Sequence, residues 1–127
     1  MKNKLYLIVS FAILLVISSS CEKNNYYIKY EVDINGTGSN ITYITVKTEN
    51  GDMSFQTTSK SFSETFGPIN NKFVAKIQAY TEASRGQIVN VRIYASRGKE
   101  AFALKKTESQ KDPKQKNPVV AEYHIDF

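Results

Sequence analysis

The chain has 127 residues, a one-domain length, and its 41% apolar and 23% charged residues exclude a disordered low-complexity chain. Seventeen basic against twelve acidic side chains give a formal charge of +5. Eight Tyr and seven Phe, with no Trp, bias the composition towards strands.

Lys2 and Lys4 head an apolar run, 5–17, that ends in Ser18, Ser19 and Ser20. A basic start, an apolar stretch and small residues before a cut site are the three parts of a secretory signal. At about 13 residues the run is shorter than the roughly 20 that span a hydrocarbon core, which argues against an uncleaved anchor. Cys21, the only cysteine, follows directly. The tetrapeptide SSSC resembles the lipobox of bacterial lipoproteins. That resemblance implies cleavage before Cys21, diacylglycerol on its sulfur and usually an acyl chain on its amine. Two or more acyl chains give stable anchoring where one is marginal. The expected organisation is a lipoprotein signal peptide at 1–20, a lipidated tether at 21–25 and a β-sandwich domain at 26–127. Loss of Lys2 and Lys4 with the leader leaves 15 basic residues of the 17 against 12 acidic. This balance is too weak for a nucleic-acid binder, so no nucleic acid is expected as partner. The remaining chain has no disulfide to use, and its core must hold it together alone.

Segment 26–34 (YYIKYEVDI) alternates, with Tyr26, Ile28, Tyr30, Val32 and Ile34 on one face, which predicts a half-buried strand. NGTGSN breaks it. In 41–48 (ITYITVKT) the alternation slips between Tyr43 and Ile44, which suggests a bulge. Asn50-Gly51 signals a hairpin. Strands 53–58 and 61–66 follow, with Phe62 and Phe66 expected in the core, and GPINN reads as the next turn. Segment 72–80 puts Phe73, Ala75, Ile77 and Ala79 on one side. Segment 87–95 does the same with Val89, Val91, Ile93 and Ala95, and 101–106 with Phe102 and Leu104. A last strand covers 119–127. About seven to eight short strands with turn signals between them, and no amphipathic helix, predict an all-β, antiparallel immunoglobulin-like β-sandwich.

Segment 105–118 interrupts this rhythm with Lys105, Lys106, Lys111, Lys114 and Lys116. Such a stretch reads first as a solvated hairpin loop and second as a basic contact for anionic headgroups. Tyr80 and Tyr94 lie opposite the apolar rows of their strands, with Lys76, Gln78, Asn90 and Arg92 beside them. Tyr80, Tyr94, Arg92 and Lys76 therefore form the candidate binding face. His124, the only histidine, shares a strand face by period two with Glu122 and Asp126. A solvent-facing polar row explains that pattern without a metal. No nucleophile elbow, phosphate loop or zinc spacing is present, so neither an enzyme nor a cofactor is expected.

KYEV at 29–32, ITY at 41–43, the Asn50-Gly51 turn and VNVRIYA at 89–95 together resemble small single-domain lipoproteins of Bacteroides-type bacteria. More distantly, they resemble the small mycobacterial membrane protein family, MmpS. The resemblance implies an immunoglobulin-like sandwich tethered outside the cytoplasmic membrane, and for the mycobacterial family an accessory role beside lipid exporters. A lipidated cysteine here replaces that family's retained helix. Glu22 stands where an Asp commonly marks inner-membrane retention, which points to the outer membrane. The expected function is a lipid-anchored, non-catalytic envelope protein that assists a protein assembly. The alternative is a glycan-binding envelope lipoprotein using exposed tyrosines.

Overall fold

A computed structural model describes residues 25–37, 40–70, 72–82, 87–110 and 117–125. The leader, Cys21, Lys111, Lys114, Lys116 and Asp126 lie outside the described residues. Eight strands run in chain order: β1 Tyr26–Asn35, β2 Thr42–Thr48, β3 Gly51–Thr57, β4 Ser61–Ile69, β5 Val74–Thr81, β6 Ile88–Arg97, β7 Ala103–Ser109 and β8 Val119–His124. They pair antiparallel into two four-stranded sheets, β4-β1-β6-β7 (sheet A) and β3-β2-β5-β8 (sheet B). The expectation of an all-β, two-sheet construction is met.

The core fills the space between the sheets. Ile28, Val32, Val91 and Ile93 of sheet A meet Ile44, Val46, Ala75 and Ile77 of sheet B. The central strands alternate buried and half-buried residues along their length, because each has a facing sheet on one side only. Edge strands β3 and β7 are exposed almost throughout. Phe55 of β3 and Phe62 of β4 close one side of the sandwich, their ring centroids 5.1 Å apart. Phe62 and Phe66 thus flank the core, half-buried, and do not lie within it.

Tyr30 crosses from one sheet to the other. Fully buried on β1, it donates its hydroxyl to the Lys47 carbonyl at 2.7 Å and accepts from the Lys76 amide at 3.2 Å. The last β2–β5 pair is Val46↔Ile77, so the hydroxyl sits where the next rung of sheet B would form. Burial pushes this phenol well above its ordinary value of 10.0; the Lys76 amide opposes the shift and Asp52 adds to it.

Three local expectations change. There is no bulge at Tyr43: β2 pairs regularly on both sides, and its inward row is Thr42, Ile44 and Val46. The apparent slip arises because an inward position holds a threonine. Thr42 and Thr81, opposite each other in the core, satisfy one another through their hydroxyls at 2.9 Å. Gly67-Pro68 does not end β4, which continues to Ile69 with one extra residue opposite β1. The Gly67-Pro68 bond is cis, and Gly67 has φ +154° with the Tyr27 ring lying over it. Lastly, Leu104 is not in the core but 51% exposed. A register shift opposite Ile93/Tyr94 turns it to the outer face, where it pairs with Tyr94.

The two glycines with positive φ on strands should respond differently to a side chain. At Gly51 (φ +110°) a Cβ meets nothing within 4 Å, so Gly51→Ala carries the backbone cost alone, about 1 kcal/mol. At Gly67 a Cβ would lie 2.5 Å from Tyr27 Cδ1 and 2.9 Å from the Tyr26 carbonyl oxygen. Gly67→Ala should therefore cost about 3 kcal/mol in urea denaturation. Equal losses for the two variants would contradict the packing of Tyr27 on Gly67.

Candidate functional site

The sequence placed Tyr80, Tyr94, Arg92 and Lys76 on one face; the structure divides them. Tyr80 and Lys76 belong to β5 in sheet B, whereas Tyr94 and Arg92 belong to β6 in sheet A. Both tyrosines point outward, so the whole core separates them. Each lies on its expected side of its strand, but the sheet to which a strand belongs is a pairing property that alternation does not encode.

On sheet A the outer charged groups pair with one another. The ladder sets Lys29 opposite Tyr94 and Glu31 opposite Arg92. Lys29 Nζ lies 3.2 Å from Glu31 and sits over two rings, 4.4 Å from the Tyr94 centroid and 5.2 Å from that of Phe102. Arg92 forms an ion pair with Asp33 through Nη2. Its Nε, shielded from solvent, lies 3.4 Å from Glu31 without a hydrogen bond. Burial alone would raise the Glu31 carboxyl. Hydrogen bonds from Lys29 and Tyr94, with the charges of Lys29 and Arg92, outweigh it and hold the carboxyl below its ordinary value. Arg92 and Tyr94 are thus committed to stitching β6 to β1.

The outer face of sheet B is different in kind. Tyr43 stands directly opposite Tyr80 on one side and Gln56 on the other. Two residues along β2, Thr45 lies between Ser54 and Gln78, with its hydroxyl 3.4 Å from that of Ser54. Gln56 and Gln78 are exposed, and both rings are half-buried. The Tyr43 hydroxyl donates to Glu82 at 3.3 Å. The Glu82 charge, then burial, the hydrogen bond to Glu82 and Tyr80 raise the Tyr43 phenol above its ordinary value. Towards the other end of this face, Lys76 stands opposite Glu122, and Glu122 lies 3.3 Å from His124 Nε2. The result is an outer face on which two tyrosines of neighbouring strands are bordered by amides, hydroxyls and the Glu82 carboxylate.

Sequence reasoning missed Tyr43. Its outward parity is visible in the sequence once Thr42 is accepted as inward, but its pairing with Tyr80 is set by the β2–β5 register.

The remaining candidates fall elsewhere. Lys105 and Lys106 are strand residues of β7 and do not belong to the loop, which shortens the expected basic loop at its start. Lys106 lies 3.2 Å from Glu108. Lys105 lines an open cleft of about 170 Å³ with Tyr26, Arg97, Glu100 and Tyr123. Among the described residues, no group of three side chains is arranged to hold a metal ion.

No protein-family model, curated protein or solved structure matches the chain.

The sheet A network carries a pH signature. Because the folded Glu31 carboxyl titrates below its unfolded value of 4.5, its stabilisation is complete above that value and is lost as the pH falls through the folded pKa. Glu31→Gln should be less stable than the parent chain at neutral pH, and the gap should narrow below about pH 4. Urea midpoints measured at several pH values check this; a gap that is constant down to acid pH would exclude the Glu31 charge as its source.

Proposed function

We propose that this chain is a lipid-anchored, non-catalytic cell-envelope binding protein, held to the outer membrane through Cys21. Its binding surface is the outer face of sheet B. The sandwich is taken as immunoglobulin-like in size and construction, and as kin to small Bacteroides-type and MmpS-like envelope proteins. In support, the KYEV stretch lies within β1, VNVRIYA within β6 and Asn50-Gly51 at the β2–β3 turn.

The observation that carries the binding surface is the Tyr43–Tyr80 pair with Gln56, Gln78 and Glu82 around it. Adjacent phenol rings offer stacking area to the apolar face of a sugar, and amide and carboxylate groups meet its hydroxyls. A glycan of the envelope is therefore the ligand this surface fits best. The contrast with sheet A strengthens the choice, since the polar groups there are engaged by one another.

A protein partner, with the chain as an accessory subunit of an envelope assembly, is favoured by a separate observation. Edge strand β3 pairs without irregularity along its inner side, contains no proline, and leaves Met53 45% exposed. Such an edge accepts an added strand.

Affinity electrophoresis of the detergent-solubilised, lipidated protein through gels containing soluble envelope polysaccharides tests the first reading. Tyr43→Ala and Tyr80→Ala should each weaken retention about ten-fold, equivalent to about 1.4 kcal/mol. Tyr94→Ala should leave it unchanged. Retention that survives both sheet B substitutions would overturn the glycan assignment, and crosslinking from β3 would then decide on the protein partner.

A further inference from the structure

The strand pairings place the start of β1, the end of β6 and the start of β7 at one end of the sandwich: Tyr26 pairs with Arg97, and Ala95 with Ala103. Asn25 is pinned there, its carbonyl accepting from the Gly98 amide at 2.6 Å. Cys21 is four residues from Asn25, a reach of at most about 14 Å when fully extended. If Cys21 carries lipid, this end of the sandwich faces the bilayer at close range.

The chemistry of that end suits an anionic surface. Arg97, Lys99 and Lys105 are exposed around the chain's exit, with the Glu100 carboxylate among them. Arg97 lies over the Tyr26 ring, 5.7 Å from its centroid, and Tyr26 and Tyr123 form the walls of the 170 Å³ cleft that Lys105 also lines. Lys72 adds a further exposed cation on the β4–β5 connection. Glu49, another carboxylate at this end, accepts a hydrogen bond from the Asn70 amide at 2.6 Å. Lys47 and Asp52, one rung above the β2–β3 turn, stand opposite each other. With Lys76 set opposite Glu122 on β5 and β8, the excess is still cationic. Tyr26 is buried, and the half-buried Tyr123 beside it offers an amphipathic ring of the kind that settles at headgroup level. A reach of about 14 Å is within two screening lengths at physiological salt, so headgroup charge acts on these residues.

We propose that the tether end of the sandwich, centred on the cleft between Tyr26, Arg97, Lys105 and Tyr123, docks on anionic phospholipid headgroups of the membrane that holds Cys21. The inference rests on the lipid-anchor reading. Docking stands the strands upright on the membrane. Tyr80, six residues along β5 from Val74, is then carried about 20 Å from the bilayer, and the Tyr43–Tyr80 face is presented outward. The same geometry sets Gln110 and Asn117 at the far end of β7 and β8.

The chain has no Trp, so single substitutions make clean reporters. Ala101→Trp marks the tether end and Thr58→Trp the opposite end. Lipidated protein carrying each reporter is reconstituted into phosphatidylcholine vesicles with or without phosphatidylglycerol, both containing a headgroup-spin-labelled quencher. The expected result is several-fold stronger quenching of the Ala101→Trp reporter on adding phosphatidylglycerol, reversed by salt, and no change for Thr58→Trp. Replacing Arg97, Lys99 or Lys105 by Gln should each lower the docked-to-undocked ratio about five-fold. Flotation with neutral vesicles reads the anchor separately. Protein that fails to float overturns the anchor and the docking with it. Protein that floats, with Ala101→Trp quenching indifferent to phosphatidylglycerol and salt, overturns the docking alone.

Discussion

One hydroxyl group ties the two sheets together. Tyr30 belongs to β1 of sheet A, yet its phenol completes the β2–β5 ladder of sheet B by bonding Lys47 and Lys76. The apolar contacts of a sandwich are non-directional and tolerate sliding of one sheet over the other. A buried hydroxyl with two backbone partners does not, because any shift leaves polar groups unpaired in a dry environment. Tyr30 therefore fixes how the sheets sit, and with them which end of sheet B lies beside the start of β1. In a chain whose one cysteine is read as its lipid anchor, this bond supplies the cross-sheet constraint that a disulfide provides in other small sandwiches.

The two outer faces follow from what each sheet has to do. Sheet A holds β1, the strand that leads to Cys21, between β4 and β6. Its outer residues form a closed set in which Glu31 gathers Lys29, Arg92 and Tyr94, and a second Arg92 contact goes to Asp33. Sheet B bears rings and amides on neighbouring strands, with an aromatic–carboxylate contact at Glu82. A surface whose charges are mutually engaged offers a ligand little, since binding would break existing pairs. An array of exposed amides beside outward-facing rings loses nothing comparable. This difference is the reason for preferring Tyr43 and Tyr80 over Tyr94 as the ligand-facing aromatics.

Much of this architecture is written locally. Alternation in 26–34 and 87–95 predicted β1 and β6 with their inward rows, and the Asn50-Gly51 pair marked the β2–β3 turn. Misreadings arose wherever a residue's role depends on a distant partner. Thr42 looks out of place in a core row until Thr81 is set opposite it. Gly67-Pro68 looks like a stop until the Tyr27 ring is seen to cover the glycine. Leu104 looks like a core residue until the shift opposite Tyr94 turns it outward. The candidate site shows the same limit, since parity along β5 and β6 placed Tyr80 and Tyr94 correctly on outer faces. Assignment of the strands to sheets is non-local, and it separated these two while bringing Tyr43 to Tyr80.

The most direct measurement is Tyr30→Phe, followed by urea denaturation and by amide exchange at Lys76. The substitution keeps the ring packed against Phe66, 5.9 Å away between centroids, and removes only the hydroxyl. The expected outcome is a loss of about 2 kcal/mol together with faster exchange at the Lys76 amide, because two backbone groups lose their partner in the Tyr30 hydroxyl. Unchanged stability with unchanged protection at Lys76 would mean that the sheets keep their places without this hydroxyl, and would contradict its bridging role.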